Sequence, residues 1–145
     1  MIDRDGREPR GALIVSVDGA SRGNPGPAAA GIVVALPDGT PLQQMGIVLG
    51  QKTNNEAEYL ALLRALQEVQ RLRPKAVTVR LDSQLVVRQM TGQWRVRDER
   101  LRQLKEQVDA IVATLPHVDF EWNPRELNSL ADQLANAALD GRVLS

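Results

Sequence analysis

A chain of 145 residues, 43% of them hydrophobic, is long enough for one domain with its own core and too short for two ordinary ones. Lys plus Arg and Asp plus Glu both number 18, so the overall charge neither indicates nor excludes a polyanionic partner, and only local clustering can. With no Cys there is no disulfide frame and no thiolate nucleophile, and a single His excludes a His-rich zinc site; a bound metal must sit on oxygen ligands, which favours Mg²⁺, Mn²⁺ or Ca²⁺.

The opening MIDRDGREPR is charged and lacks the apolar centre of a signal peptide, and no stretch reaches the roughly 18 apolar residues of a membrane span. The expectation is a cytoplasmic protein with no membrane partner, a single domain over 1–145, and frayed ends at 1–10 and 141–145. Residues 12–18, Ala-Leu-Ile-Val-Ser-Val-Asp, read as a strand buried on both faces that stops at Asp18-Gly19. Two Pro and two Gly in Ala20 to Pro27 predict a shaped loop. A strand over 29–36, the turn Pro37-Asp38-Gly39-Thr40 and a strand over 42–49 complete an antiparallel meander.

From Asn54 the period becomes helical, through Leu62, Ala65, Leu66, Val69 and Leu72, until Pro74, with Asn54 or Asn55 as the N-cap. Residues 76–82 form a fourth strand, which a helical crossover allows to run parallel to the first. A short helix over 83–91, a longer one over 98–115, a strand over 117–122 and a helix over 128–139 finish the chain.

Four acids occupy element ends: Asp18, Glu58, Asp82 and Asp132. Each has a structural explanation on its own, since Asp before Gly makes turns and an acid in a helix's first turn favours the dipole. Together they suggest one ion site. Ligands collect beyond the carboxyl ends of parallel strands, which brings Asp18 beside Asp82. Glu58 lies four residues before Leu62 and so faces the sheet, whereas Glu56 points elsewhere; Asp132 shares a face with Ala135 and Leu139. Packed acids repel and raise one another's pKa unless cations intervene, and two divalent ions can hydrolyse a phosphodiester without a His or Ser nucleophile.

Four segments then carry a family resemblance: VDGASRGNPGPAAAG (17–31), TNNEAEYLAL (53–62), LDSQLVVRQMTGQW (81–94) and NSLADQLAN (128–136). In this order the chain resembles the type 1 ribonucleases H, which cut the RNA strand of RNA–DNA hybrids, and specifically their handle-less, archaeal-type members. The resemblance implies an α/β ribonuclease H-like fold, a five-stranded mixed sheet ordered 3-2-1-4-5 flanked by helices, and two Mg²⁺ ions, with Mn²⁺ as a substitute. It makes Asp18, Glu58, Asp82 and Asp132 the metal ligands and catalytic acids, Asp18 bridging the ions. It also implies substrate contacts from Asn24, Asn54, Asn55 and Gln84 to base edges and ribose hydroxyls, and from Thr53 and Ser83 to phosphates. Capping and turn roles stand beside these for Asn24, Asn54 and Ser83.

The sequence departs from many bacterial members at WNPRELNSLAD, where a loop His is absent and Arg125 and Glu126 stand instead. An Arg keeps its proton at working pH, so Arg125 cannot be a general base; it either steadies the scissile phosphate or is a surface residue. His117 reads as structural. The basic handle is missing, yet residues 88–105 hold Arg88, Arg95, Arg97, Arg100, Arg102 and Lys105 against Asp98 and Glu99, a local net of +4. That run either follows a phosphate backbone or forms a solvated helix face; Trp94 beside it reads as core or hinge packing. The expected function is an endonuclease on hybrids, monomeric, leaving 5′-phosphate and 3′-hydroxyl ends. The alternatives are an inactive hybrid-binding module and a broader nuclease that also cuts double-stranded RNA.

Overall fold

The computed structural model describes residues 10–141. In chain order it contains β1 (Arg10–Ser21), β2 (Gly26–Ala35), β3 (Pro41–Lys52), α1 (Asn54–Leu72), β4 (Pro74–Leu81), α2 (Gln84–Met90), α3 (Glu99–Val112), β5 (Val118–Trp122), a 3₁₀ turn (Arg125–Asn128) and α4 (Ser129–Leu139). The strands form one sheet ordered β3-β2-β1-β4-β5, antiparallel across β1–β2 and β2–β3 and parallel across β1–β4 and β4–β5. This is the expected 3-2-1-4-5 order. Expected fraying at 1–9 and 142–145 lies outside the described residues, while Arg10 already pairs with Pro74 in β1 and Gly141 lies in a turn.

Two expectations for β1 need correction. Its faces are unequal: Leu13, Val15 and Val17 are fully buried, whereas Ile14 and Ser16 are only half covered. The strand also continues past Asp18, because Gly19, Ala20 and Ser21 pair with Ala30, Ala29 and Ala28 of β2. The loop expected over 20–27 therefore shrinks to Arg22–Pro25, closed by the Arg22 N–H donating to the Pro27 carbonyl at 2.8 Å. Asp18 does not end β1; it stands just past the β1–β4 pairing, whose last register pair is Val17 with Leu81.

On one side of the sheet Leu13, Val15, Val17, Ile32 and Val34 pack with Leu62, Leu66 and Val69 of α1 into the core, and α3 closes over α1 with Leu101 and Val108. The Tyr59 hydroxyl donates to Gln89 Oε1 at 2.6 Å and ties α1 to α2 inside this layer. On the other side α4 lies across β2, β3 and β1. It comes close because Gly31 and Gly46 lack side chains: a Cβ would lie 1.7 Å from the Ala131 carbonyl oxygen and 2.4 Å from that of Leu134.

The N-cap of α1 is Thr53, not Asn54 or Asn55. Its hydroxyl accepts from the Glu56 N–H at 3.2 Å while Glu56 accepts from the Thr53 N–H at 3.0 Å, a reciprocal capping box. Glu56 is thereby committed to the helix end. At the other end Arg73 takes a left-handed conformation and Pro74 opens β4. The long helix expected over 98–115 stops at Val112, and residues 113–115 turn back through bonds to Asp109, Ile111 and Val112. The last helix is preceded by a 3₁₀ turn that uses Asn128 instead of starting there.

Candidate active site

The parallel register sets the first two acids side by side. Val17 of β1 is level with Leu81 of β4, so Asp18 within β1 and Asp82 just past β4 stand side by side. Asp18 pairs with Gly31 and shares its face, the one α4 covers. Asp82 is held from two sides: the indole N–H of Trp122, the last residue of β5, donates to its carbonyl at 3.1 Å, and the Asn128 amide from the 3₁₀ turn donates to its carboxylate at 3.5 Å and to the Val17 carbonyl at 2.9 Å.

Glu58 arrives from α1. That helix can approach the end of β1 only because residue 19 is glycine; a Cβ there would lie 2.3 Å from the Ala57 carbonyl oxygen. The Gly19 N–H then donates to Glu58 Oε1 at 3.3 Å. Carboxylate oxygens of Asp18, Glu58 and Asp82 consequently lie within 4.8 Å of one another. Asp132, on the first turn of α4, is near enough to act on the Asp18 carboxyl but stands outside that three-acid cluster.

Crowding and burial act together on these groups. The Asp18 carboxyl is pushed up to about 8, first by burial, then by the charge of Asp82 and by Asp132. Burial, and after it the charges of Asp18 and Asp82, raise Glu58 well above the carboxylate range. Asp82 is raised by burial and held back by the Asn128 amide and by the charge of Arg125. Two buried oxygens, Glu58 Oε2 and Asn128 Oδ1, have no protein hydrogen-bond partner. A cluster of hard oxygen donors, short of positive charge and with an orphaned buried oxygen, fits a divalent cation of the Mg²⁺ or Mn²⁺ kind.

A family model described as reverse transcriptase-like matches residues 16–138. The chain is 40% identical over 134 residues to a bifunctional protein of Mycobacterium tuberculosis, covering 92% of this chain and 37% of that protein. It is 42% identical to ribonuclease HI of Halobacterium salinarum, covering 85% of this chain and 62% of that relative. The chain thus spans less than two thirds of the length of these relatives. The crystal structure of RNase H1 from Halobacterium salinarum superposes with a TM-score of 0.87 at 40% identity, covering 90% of this chain and 98% of that one. The chain belongs to the ribonuclease H family. A further neighbour, LC11-RNase H1 in complex with RNA/DNA hybrid, has a TM-score of 0.86 at 40% identity, covering 89% of this chain and 97% of that one.

The ribonuclease H residues expected to touch substrate fall in two places. Asn24, Thr53 and Asn55 line a cleft of about 210 Å³ together with Glu56, Asp98, Leu101 and Arg100. Asn54 joins them through its backbone N–H, which donates to Asn24 Oδ1 at 3.0 Å. Ser83 and Gln84 lie at the start of α2 beside Asp82, Ser83 capping that helix by accepting from the Val86 N–H at 3.3 Å while Gln84 is exposed. Arg125 opens the 3₁₀ turn, exposed and near enough for its charge to act on Asp82. Trp94 is not core packing: it is 45% exposed, with the Arg88 guanidinium 5.0 Å from its ring centroid. His117 is exposed, its Nε2 3.0 Å from Asp119 Oδ2.

Two residues at this candidate site escaped sequence reasoning. Asn128 lay inside a quoted motif, but only the tertiary structure shows its amide joining β1 to Asp82. Arg100 was one of six cations in a run, and nothing in the linear pattern singled it out as the one facing Asn24 and Thr53.

Proposed function

We propose that this chain is a single ribonuclease H domain that hydrolyses the RNA strand of RNA–DNA hybrids, leaving 5′-phosphate and 3′-hydroxyl ends. The convergence of Asp18, Glu58 and Asp82, with Asp132 beside Asp18, carries this reading. A relative of the same fold, LC11-RNase H1, has been crystallised with RNA/DNA hybrid, which supports hybrid as the substrate. The four carboxylates would hold two Mg²⁺ ions, or Mn²⁺ in their place. Such ions, when bound, lower the pKa of a water and stabilise the leaving oxygen of a phosphodiester.

The other steps belong to side chains. Asn128 and the Trp122 indole hold Asp82 in register, and the Gly19 N–H orients Glu58. Asn24, Thr53 and Asn55, with Arg100, form a cleft whose amide, hydroxyl and guanidinium donors suit a backbone phosphate, the Glu56 and Asp98 carboxylates of the same cleft being engaged with the Thr53 and Leu101 N–H groups, and Asn54 and Gln84 present amides to base edges and ribose hydroxyls. Ser83 stands at a helix start beside Asp82, and Arg125 supplies charge for the scissile phosphate on the same side.

Action as a monomer in the cytoplasm belongs to the same proposal: one chain supplies all four acids, and among the described residues no helix is long and apolar enough to cross a membrane. The test is a labelled hybrid, the same RNA single-stranded, and an RNA duplex, each incubated with Mg²⁺, with Mn²⁺ and with chelator. Metal-dependent cleavage of the hybrid, with single-stranded RNA spared, is expected. Hybrid binding without cleavage would establish the inactive module instead, and equal cleavage of the RNA duplex the broader nuclease.

A further inference from the structure

Glu58 and Asp82 are held by donors at or near the strand ends, the Gly19 N–H and the Asn128 amide, but Asp132 is held differently. One turn further along α4, the Asn136 amide donates to the Asp132 carbonyl at 3.0 Å and to Asp132 Oδ1 at 3.3 Å. Among the described residues this is the hydrogen bond that reaches the Asp132 carboxylate from a neutral donor. The other end of the same amide is occupied as well: Asn136 Oδ1 accepts from Arg22 Nη2 at 3.3 Å. The Arg22 guanidinium also donates to the Asn136 carbonyl at 3.4 Å and to Asp140 Oδ1 at 2.6 Å, so it grips α4 across its last turn.

The two ends of an Asn amide have nearly the same shape and opposite hydrogen-bonding character. Arg only donates, so Arg22 forces the oxygen of Asn136 toward itself and leaves the NH₂ for Asp132. Arg22 belongs to the turn over 22–25, which also carries Asn24, the acceptor for the first N–H of α1. One short turn thus touches both helices that deliver acids from outside the strands.

We propose that Asn136 and Arg22 are positioning residues for Asp132, a relay from the β1–β2 turn through α4 that orients the fourth carboxylate for its cation. This rests on the metal-site reading above, and its test is chosen to fail separately. Mn²⁺ binding is measured by calorimetry on the full chain without substrate, alongside kcat and KM on hybrid and the melting temperature. Asn136→Ala should weaken Mn²⁺ binding and lower kcat by about tenfold, leaving KM for hybrid unchanged. Asn136→Asp, equal in shape but with an acceptor facing Asp132, should be worse than the Ala variant. Arg22→Ala, an exposed change that spares the fold, should shift both readouts in the same direction by a smaller factor. In an Asp132→Ala background none of these substitutions should add a further loss.

Unchanged Mn²⁺ binding in Asn136→Ala and Arg22→Ala, an Asn136→Asp variant equal to wild type, or undiminished losses in the Asp132→Ala background would each overturn the relay. If the wild-type chain binds Mn²⁺ but cuts no hybrid, the proposed activity fails while the calorimetric series still decides the relay. A wild-type chain that binds no Mn²⁺ overturns both.

Discussion

At the scale of single residues, the site is a set of carboxyls placed where water and countercharge are scarce. Asp18 is 4% exposed and Glu58 8%, and no basic side chain forms an ion pair with either among the described residues. Their raised pKa values mean that the folded chain binds protons more tightly than the unfolded chain between the ordinary carboxylate range and about 8. Stability of the metal-free protein should therefore fall as pH rises through that window, because there the unfolded state holds fewer protons. Urea unfolding at pH 5.5 and pH 8.5 checks this; the midpoint should be lower at the higher pH, and saturating Mg²⁺ should recover most of the difference. Asp18→Asn removes the most crowded charge at nearly constant shape. It should nearly abolish hybrid cleavage yet raise the metal-free melting temperature at pH 8 by about 3 °C, read by circular dichroism.

At the scale of elements, caps and glycines decide how near the helices come. The capping box of Thr53 and Glu56 satisfies the first N–H groups of α1, the helix that delivers Glu58. Thr53→Ala should cost about 1 kcal/mol in denaturant unfolding and also raise KM for hybrid, since Thr53 lines the cleft with Asn24 and Arg100. Gly31 has the larger consequence. A methyl group at that position meets the Ala131 carbonyl oxygen, so Gly31→Ala must push α4 off the sheet, at about 1–3 kcal/mol or more of stability. Because Asp132 follows Ala131, the same change should reduce kcat more than any loss of folded protein explains, which cleavage assays at matched folded fraction would reveal.

At the scale of the whole molecule, equal numbers of acids and bases mean that a polyanion must be met by a patch. Arg95, Arg97 and Arg100 are exposed between α2 and the first turn of α3, whereas Arg102 pairs with Glu99 and Lys105 with Asp109. Replacing Arg95 and Arg97 by Ala should raise KM for hybrid and flatten its dependence on salt by about two counterions, with kcat little changed. A salt titration of hybrid binding distinguishes this from a purely solvated helix face, which would leave the slope alone.

The elements themselves were legible because period and punctuation are local: the short apolar run of β1, the 3.6-residue stripe from Leu62 to Val69, and the stops at Pro37-Asp38-Gly39 and Pro74 depend only on near neighbours. The facing of Glu58 inward and Glu56 outward followed from the same helical period, and the four acids followed from their motifs. Element ends were less legible. β1 outruns Asp18 because its last residues gain hydrogen bonds from β2, a partner that the linear pattern does not show, and Thr53 displaced Asn54 as the cap through its reciprocal bond with Glu56. Trp94, read as core or hinge packing, lies exposed against Arg88. What the chain alone determined is thus the chemistry on offer: oxygen ligands only, no thiol, acids at element ends. Only the tertiary structure decided which acids meet and how tightly. Three bare glycines let two helices approach the sheet, Asn128 reaches across 111 positions of sequence to the Val17 carbonyl, and Arg22 across 114 to Asn136. Such contacts have no period, so their physical cause, close backbone approach, becomes visible only when the chain is folded.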